Sequence, residues 1–222
     1  MLFPSLVVDN FFEEPKKIID FSKKLSFKYD GVSPGIRSQL IHEIDYTIYN
    51  WINNKILSLL YPNDIDSITY TANAQFQKIS PNLKYVNWIH ADTSAQITAI
   101  LYLSKDGDVG TSLFKNKSFK DSLNQKIKYT YFENPNIKDE KYLSQLENEY
   151  KKNKSNFEET LKVNGIYNRL FLFDSWNYHG AHKFVSSKKD SERLTYIVFF
   201  NDIYSKNKQL QYPIPTMRRI TY

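Results

Sequence analysis

The spacing of apolar residues changes along the chain from a helical period to a strand period. Residues 3–12 contain a short apolar run, which predicts a strand followed by a turn. Over residues 14–25 and 39–61 apolar residues recur at three- and four-residue spacing, with polar residues between them, and this predicts two amphipathic helices. Each helix has one apolar face, so the two helices need a surface to cover.

The following part of the chain predicts that surface, because its apolar residues follow strand periods. Residues 67–79 alternate loosely, and residues 96–104 form a nearly unbroken apolar run, as in a strand buried on both faces. Shorter segments at 110–114, 168–173 and 193–201 predict three further strands. The pattern therefore indicates an α+β, mainly β fold, with the N-terminal helices packed on one side of the β core.

A polar segment over residues 115–162 interrupts the predicted strands. It is rich in Lys, Asn and Glu, and its apolar residues follow a helical period only near residues 139–161. We interpret it as an insertion made of a loop and one helix. Long connections in compact domains often serve as lids or binding elements, so this insertion is a candidate lid.

Length and composition narrow the class of protein. The 222 residues suffice for a single sizeable core, and 16% aromatic residues supply large side chains for it. The chain has no Cys, which excludes disulfide scaffolds, thiolate zinc sites and cysteine nucleophiles, and fits a reducing cytoplasm. The sequence contains no apolar run of about 20 residues, so it predicts no membrane span. The first residues lack the pattern of a signal peptide. We expect a cytoplasmic protein without membrane contact.

The formal net charge of +6 leaves an anionic partner such as a nucleic acid open. The Lys residues are scattered among Asn, Ser and acidic residues, and neither an Arg-rich stripe nor a nucleic-acid-binding motif occurs. The charge pattern therefore favours a solvated basic surface over a nucleic-acid-binding protein.

The four histidines restrict how a metal site could be built. His42 lies in a predicted amphipathic helix, where a histidine is most often a surface or half-buried residue. His90 and Asp92 stand two positions apart beside a predicted strand, and in an extended segment such positions share a face. An imidazole and a carboxylate are two of the three protein ligands of a facial Fe(II) site. The third ligand would come from a distant strand, as His179 or His182.

An ordered set of motifs accompanies these histidines. In chain order it reads His90-Ala91-Asp92, Ala99-Ile100-Leu101-Tyr102-Leu103, Gly110-Thr111-Ser112-Leu113-Phe114, Asn168-Arg169-Leu170-Phe171-Leu172-Phe173-Asp174-Ser175 with His179, and Glu192-Arg193-Leu194-Thr195. In this set the chain resembles the Fe(II)/2-oxoglutarate-dependent oxygenases, specifically their small prolyl-4-hydroxylase-like branch.

The resemblance implies a double-stranded β-helix, the jelly-roll or cupin-like core of these oxygenases. It implies a single oxygenase domain over residues 1–222. Within that domain, residues 1–62 would form an N-terminal strand and helical support. Residues 67–114 and 163–201 would form the β-helix core, and the insertion would lie between them.

The resemblance also assigns roles to individual residues. His90, Asp92 and a distal histidine would hold Fe(II), and Arg193 would bind the distal carboxylate of 2-oxoglutarate. Tyr102 matches the position of a tyrosine that often shares this carboxylate. Thr195 follows Arg193 by two positions on the same strand face and would add a hydrogen bond to the cosubstrate.

Two spacings bear on the distal ligand. The segment Phe173-x-Ser175-x-x-x-His179 fits a pattern common in the family and favours His179. The separation of 11 positions between His182 and Arg193 is also common in the family and favours His182. Because the loop before Arg193 can vary in length, we choose His179 and keep His182 as the alternative.

The resemblance implies a dioxygenase that hydroxylates an unidentified substrate with O₂ and 2-oxoglutarate, releasing succinate and CO₂, with ascorbate as a candidate reductant. A protein side chain or a small molecule is the favoured substrate, and nucleic acid is an alternative.

Three residues that flank the motifs are candidate pocket residues: Trp88, Trp176 and Asn168. For Asn168 a role in a turn is equally open. The competing hypotheses are a cupin-like metal-binding module without oxygenase activity and a nucleic-acid-directed oxygenase or binding protein.

Overall fold

The computed structural model describes residues 3–31, 33–81, 88–105, 109–117, 139–183, 192–206, 210 and 212–215. Within these residues the chain forms four α-helices, a short 3-10 helix and ten β-strands. The helices are α1 (Pro15–Ser22), α2 (Ile41–Ile44), α3 (Tyr46–Ser58), the 3-10 helix Ile65–Ser67 and α4 (Glu140–Ser155). The strands are β1 (Leu6–Val8), β2 (Phe27–Lys28), β3 (Ile36–Ser38), β4 (Ile68–Ile79), β5 (Ile97–Tyr102), β6 (Gly110–Asn116), β7 (Phe157–Asn164), β8 (Arg169–Asp174), β9 (Tyr178–Lys183) and β10 (Arg193–Ser205).

The strands of the described residues pair into two antiparallel sheets. The larger has seven strands in the order β1-β8-β5-β10-β4-β3-β2, and the smaller has three in the order β7-β6-β9. The predicted α+β, mainly β class is therefore confirmed. No helix among the described residues has both the length and the apolar character needed to cross a membrane.

The predicted helix over residues 39–61 is divided in two. Asp45 has an extended backbone (φ −149°), and its carboxylate accepts a hydrogen bond of 2.9 Å from the backbone N–H of Ile48. An Asp in this position caps a helix N-terminus, because it satisfies a backbone donor that has no intrahelical partner. A new helix, α3, therefore begins one residue after Asp45.

One face of the seven-stranded sheet packs on the N-terminal helices and forms the main core. Leu101 of β5 and Tyr196 of β10 are fully buried there, together with Ile52 and Ile56 of α3. Each such aliphatic side chain contributes about 1.5–3 kcal/mol by leaving water. The Tyr196 hydroxyl donates to the Asn53 side chain over 3.2 Å, so the buried polar group is paired.

The opposite face of the large sheet packs on the three-stranded sheet. Tyr102 of β5 and Ile197 of β10 form a second apolar cluster with Leu113 of β6 and Val163 of β7. Neighbouring residues of a strand point to opposite faces. Even positions of β5 and odd positions of β10 therefore face the space between the sheets, where the site described below lies.

The predicted insertion helix over residues 139–161 is too long. Helix α4 ends at Ser155, and residues 157–164 form strand β7 at the edge of the smaller sheet, with Leu161 opposite Leu113. Leu161 is 37% exposed, so it does not belong to an apolar helix face. Pairing with β6 supplies the backbone hydrogen bonds of this segment, which a local helical period cannot indicate. Residues 118–138 of the insertion lie outside the described residues.

Candidate metal centre

A pair of backbone hydrogen bonds joins the His90 segment to strand β9. The His90 N–H donates to the His179 carbonyl over 3.0 Å, and the His179 N–H donates to the His90 carbonyl over 2.7 Å. The Asp92 N–H donates to the Ser175 carbonyl over 2.9 Å. The sequence predicts that His90 and Asp92 share a face of an extended segment beside a strand, and in the structure only His90 of this segment forms a strand bridge. The three side chains therefore converge through long-range backbone pairing rather than through strand alternation alone.

The side chains of His90, Asp92 and His179 lie together in the lining of one cavity. Nε2 of His179 is 3.1 Å from Oδ2 of Asp92, and Nε2 of His90 is 3.7 Å from Oδ1 of the same carboxylate. Their potential ligand atoms all lie within 4.8 Å of one another. Two imidazoles and one carboxylate at this separation could hold a metal ion.

Both imidazole rings are oriented by backbone carbonyls. Nδ1 of His90 is 3.0 Å from the Trp88 carbonyl oxygen, and Nδ1 of His179 is 2.8 Å from the Asn177 carbonyl oxygen. A carbonyl oxygen only accepts hydrogen bonds, so Nδ1 carries the proton in each neutral ring. The lone pair is then on Nε2, the atom that faces Asp92, as in histidines that bind metals.

The electrostatics of the cluster favour an ionised carboxylate. Burial raises the pKa of Asp92, but His179 and then His90 together outweigh it, so the pKa of this carboxyl lies well below its usual range. Burial lowers the pKa of the His179 imidazole, but Asp92 more than reverses this, and the net pKa is raised. A proton on the His179 imidazole and a divalent cation would therefore compete for the same Nε2 atom beside Asp92.

The cavity has a volume of about 280 Å³ and lies between the two sheets. Its polar lining comes from both sheets and from the loop before β3, and its apolar lining comes mainly from β5, β9 and β10. The lining residues are Ser33, Pro34, Arg37, Gln77, Trp88, His90, Asp92, Thr98, Ile100, Thr111, His179, Gly180, Ala181, Arg193, Ile197 and Phe199.

The predicted cosubstrate residues lie together beside this cavity. Arg193 lines the cavity, is only 5% exposed, and has its guanidinium carbon 5.5 Å from the centre of the Tyr102 ring. Burial lowers the pKa of Arg193. The Tyr102 hydroxyl donates to Oγ1 of Thr111 over 2.8 Å and so links the two sheets. Thr195 pairs with Tyr102 across the strands, and its buried Oγ1 has no hydrogen-bond partner in the described part of the chain.

His182, the alternative third ligand, lies outside the cluster. It follows the cavity-lining Ala181 on β9, and its Nδ1 is 3.4 Å from Oγ of Ser112. Its ring packs on Gly110, where a Cβ would come within 2.3 Å of the ring. Burial, followed by the nearby Lys162, lowers the pKa of His182. The structure therefore groups His179, rather than His182, with His90 and Asp92.

The three candidate pocket residues fall in different places. Trp88 lines the cavity, whereas Trp176 and Asn168 do not. For Asn168 the sequence leaves a pocket role and a turn role open, and its contacts are those of a turn residue. The Asn168 side chain donates to the Phe12 carbonyl over 2.8 Å and accepts from the Phe12 N–H over 3.0 Å. With φ of +61°, Asn168 has the turn conformation that Asn tolerates best, and its amide anchors the chain that follows β1.

The sequence analysis assigns no site role to five polar residues of the cavity, of which Ser33 lies in the loop before β3. Arg37 and Gln77 lie opposite each other on β3 and β4, while Thr98 and Thr111 come from β5 and β6. The Thr98 hydroxyl donates to Oδ2 of Asp92 over 3.4 Å. The alternation of β4 contained a signal for Gln77, because its parity is opposite to that of the apolar Ala72, Ala74 and Phe76.

Sequence reasoning also missed a contact from the insertion. Oδ1 of Asn153, in α4, accepts from the backbone N–H of Ile89 over 2.9 Å, and its Nδ2 donates to the Ile89 carbonyl over 3.1 Å. The next residue is His90. Helix α4 is thus attached to the segment that carries two of the three cluster residues.

Solved structures share this fold at low sequence identity. A member of the 2OG-Fe(II) oxygenase family from Burkholderia pseudomallei matches with a TM-score of 0.53 and 10% identity over 92% of this chain and 88% of that one. HygX from Streptomyces hygroscopicus, with nickel and 2-oxoglutarate bound, matches with a TM-score of 0.51 and 10% identity over 88% of this chain and 82% of HygX. These similarities define the fold class as that of the Fe(II)/2-oxoglutarate oxygenases.

A prolyl 4-hydroxylase from Phytophthora capsici matches with a TM-score of 0.47 and 11% identity. The match covers 89% of this chain but only 58% of the length of that enzyme.

No curated protein matches the sequence. The family of unknown function DUF6445 matches residues 3–200, and the chain belongs to this family.

Proposed function

We propose that this protein is an Fe(II)- and 2-oxoglutarate-dependent dioxygenase that hydroxylates an organic substrate. The observation that carries the proposal is one cavity that holds both the His90, Asp92 and His179 cluster and the buried guanidinium of Arg193. A metal-ligand set and a deeply buried cation for an anionic cosubstrate are the two requirements of this chemistry.

The cluster fits Fe(II) by the chemistry of its donor atoms. Two neutral imidazole Nε2 atoms and one carboxylate form the facial set of non-haem Fe(II) oxygenases, which leaves coordination positions for cosubstrate and O₂. The carbonyl oxygens of Trp88 and Asn177 hold the two rings in the tautomer that a metal requires. His90, Asp92 and His179 would hold the ion.

Arg193 would bind the distal carboxylate of 2-oxoglutarate, since a guanidinium pairs with a carboxylate through two parallel hydrogen bonds. Tyr102 packs under the guanidinium and holds it over its ring. Thr195, whose buried Oγ1 has no partner in the described residues, would add a hydrogen bond to the same carboxylate. HygX, which has 2-oxoglutarate bound and shares the fold, supports this choice of cosubstrate.

When bound, iron and 2-oxoglutarate would supply oxidative decarboxylation to succinate and CO₂ and insertion of an oxygen atom into the substrate, and 2-oxoglutarate itself is the reductant of this reaction. Ascorbate would serve only to return iron that has become oxidised to Fe(II). The protein binds and orients these groups and keeps water out. Trp88, Ile197 and Phe199 form apolar walls of the cavity. Thr98 orients the Asp92 carboxylate through its hydrogen bond.

We further infer that the two antiparallel sheets form a double-stranded β-helix in one domain over residues 1–222. Within the predicted insertion 115–162, residues 157–162 belong to β7, so the lid role is proposed for helix α4. The prolyl-4-hydroxylase-like branch suggests a protein side chain as the substrate, and a small molecule is equally compatible with a cavity of this size.

The decisive experiment is anaerobic titration with Fe(II) and then 2-oxoglutarate, followed by addition of O₂. We expect metal binding, a visible charge-transfer band when 2-oxoglutarate is added, and slow succinate formation that ascorbate sustains. Metal binding without 2-oxoglutarate binding would instead identify a cupin-like metal-binding module. Binding of neither would refute the proposal.

A further inference from the structure

We propose that Arg37 is the anchor for a carboxylate group of the substrate. The inference rests on the proposed function, and it concerns a second guanidinium that faces the same cavity as Arg193. Arg37 lies on β3, whereas Arg193 lies on β10, with β4 between these strands in the sheet. The two cations thus enter the cavity from different strands and can serve different ligands.

The segment that carries Arg37 is firmly held. Gly35 has φ of +77°, and a Cβ there would lie 2.1 Å from the backbone oxygen of Lys78, so only glycine fits. The Gln77 side chain donates to the Pro34 carbonyl over 2.7 Å, and Gln77 pairs with Arg37 in the sheet. The chain therefore builds the cavity wall around Arg37 rather than leaving it on a free loop.

The guanidinium of Arg37 is mostly buried but only weakly paired. Its side chain is 19% exposed, and its Nε is 3.9 Å from Oδ2 of Asp30, well beyond the distance of a charge-assisted hydrogen bond. Its guanidinium carbon lies 5.8 Å from the centre of the Phe199 ring. Burial lowers the pKa of Arg37, and the carboxylates of Asp30 and then Asp92 raise it in part. Among the described residues, Asp30 is the one carboxylate within ion-pair distance of this buried cation, and the pairing is loose enough to favour a further anion.

The charges of the metal and of 2-oxoglutarate would be neutralised by Asp92 and Arg193, so Arg37 is not needed to hold either group. A divalent metal, the Asp92 carboxylate, the 2-oxoglutarate dianion and Arg193 together carry no net charge. Arg37 and its loose partner Asp30 lie outside this neutral set, and the guanidinium lines the cavity next to the apolar walls formed by Phe199 and Trp88. A substrate with a carboxylate beside an apolar body complements this part of the cavity.

The test compares benzoate with its neutral analogue benzamide, both titrated by calorimetry into protein loaded with Mn(II), an inert substitute for Fe(II), and saturating 2-oxoglutarate. We expect benzoate to bind roughly tenfold or more tightly than benzamide, the ratio typical of one charge-assisted hydrogen bond. Arg37→Gln should remove this preference, and Arg37→Lys should keep part of it. Neither substitution should change the affinity for 2-oxoglutarate by more than about twofold.

Lys28→Gln is the matched control, because Lys28 pairs with Arg37 across the strands but does not line the cavity. It removes one positive charge nearby and should keep the preference for benzoate. Equal binding of benzoate and benzamide by the unmodified protein, or an unchanged preference in Arg37→Gln, would overturn the proposal. Loss of 2-oxoglutarate binding in Arg37→Gln would also overturn it and would make Arg37 the cosubstrate anchor.

The failure of the proposed function is recognised separately. If the unmodified protein binds neither Mn(II) nor 2-oxoglutarate, the dioxygenase assignment fails. The benzoate and benzamide titrations are then repeated on Arg193→Gln protein without either additive, where Arg37 is the cavity cation under test. A preference for benzoate that depends on Arg37 would still support the anion site, and its absence would refute it.

Discussion

Asn153 and Ile89 are joined by two hydrogen bonds, in which the Asn153 amide both donates to and accepts from the backbone of Ile89. Asn153 is 1% exposed and belongs to α4, whereas Ile89 directly precedes His90. A side-chain amide that satisfies both polar groups of one residue fixes the position of that backbone. Asn153 is therefore a positioning residue for the His90 segment.

We expect Asn153→Ala to lower metal affinity roughly tenfold or more, as is usual when the support of a metal ligand is lost. It should also destabilise the fold by about 1–3 kcal/mol, because two buried backbone groups lose their partner. Mn(II) titration and urea unfolding measure the two effects. Ser155→Ala is the control, since Ser155 caps only its own helix at the surface. Metal affinity unchanged in Asn153→Ala would show that the contact is structural only.

The choice of the third ligand can be tested directly. Alanine at His90, Asp92 or His179 should abolish Mn(II) binding, because each change removes one donor atom from a three-donor cluster. His182→Ala should keep the affinity of the unmodified protein, since His182 contacts Ser112 outside the cluster. If His182→Ala loses the metal while His179→Ala keeps it, the assignment of His179 is wrong. Circular dichroism of each variant controls for folding.

The sequence predicted those parts of the site that depend on strand periodicity. Strand alternation correctly placed Arg193 and Thr195 on one face of β10. It was a weaker guide to His90 and Asp92, because only His90 lies in a strand bridge and the backbone of Asp92 is held by Ser175, 83 positions further along the chain. Such long-range pairing leaves no local periodic signal.

Two other features show the same limit. Arg37 lines the cavity because strand β3 pairs with β4. Strand β3 has only three residues, and so short a strand shows no periodic pattern in the sequence. The sequence predicts a helix that continues into β7, because apolar and aromatic residues recur near a helical period there. These residues are Tyr142, Leu146, Tyr150, Phe157 and Leu161. Pairing with β6 decided its conformation, and that partner lies across the insertion.

The role of Arg193 predicts that its substitution weakens cosubstrate binding and changes stability little. Arg193→Gln should weaken 2-oxoglutarate binding by tenfold or more, because a charge-assisted pair contributes roughly 1.5–3 kcal/mol. It should cost little stability, since burial already disfavours the charged guanidinium, as its lowered pKa shows. Calorimetry with 2-oxoglutarate and thermal unfolding measure the two effects. Tyr102→Phe, which removes only the hydroxyl bonded to Thr111, is the milder comparison. Full cosubstrate affinity in Arg193→Gln would exclude Arg193 as the anchor.

The turn contacts of Asn168 predict that its substitution lowers stability without lowering metal or cosubstrate affinity. Asn168→Ala removes both hydrogen bonds to Phe12 and leaves a residue that disfavours φ of +61°, so we expect a cost of about 2–4 kcal/mol. Asn168→Gly relieves the backbone strain and should cost less. Urea unfolding measures the stability, and Mn(II) and 2-oxoglutarate affinities should stay unchanged. If Asn168→Ala lowers the affinity for Mn(II) or 2-oxoglutarate while stability stays unchanged, Asn168 has a role in the pocket instead.

A further prediction concerns acid stability and the pair formed by Asp9 and Arg169. Two hydrogen bonds of 2.6 and 2.9 Å join the Arg169 guanidinium to the Asp9 carboxylate and tie the end of β1 to β8. The hydrogen bond from Arg169 lowers the pKa of Asp9 below its ordinary value of 3.8. A lowered folded-state pKa means that the pair stabilises the fold above about pH 3.8, and that this contribution is lost as the pH falls through the lower folded value.

Because the Asp9 side chain is 56% exposed, solvent screens the pair, and we expect it to contribute about 1 kcal/mol or less. Asp9→Asn should therefore be slightly less stable than the unmodified protein in urea at pH 7, and the difference should shrink as the pH falls to 3. High salt at pH 7 should shrink it as well. Glu13→Gln, which neutralises a nearby exposed carboxylate, serves as the control and should show no such trend. A difference between Asp9→Asn and the unmodified protein that grows towards low pH would contradict this account, because stabilisation by an ionised Asp9 cannot increase as the carboxylate gains a proton.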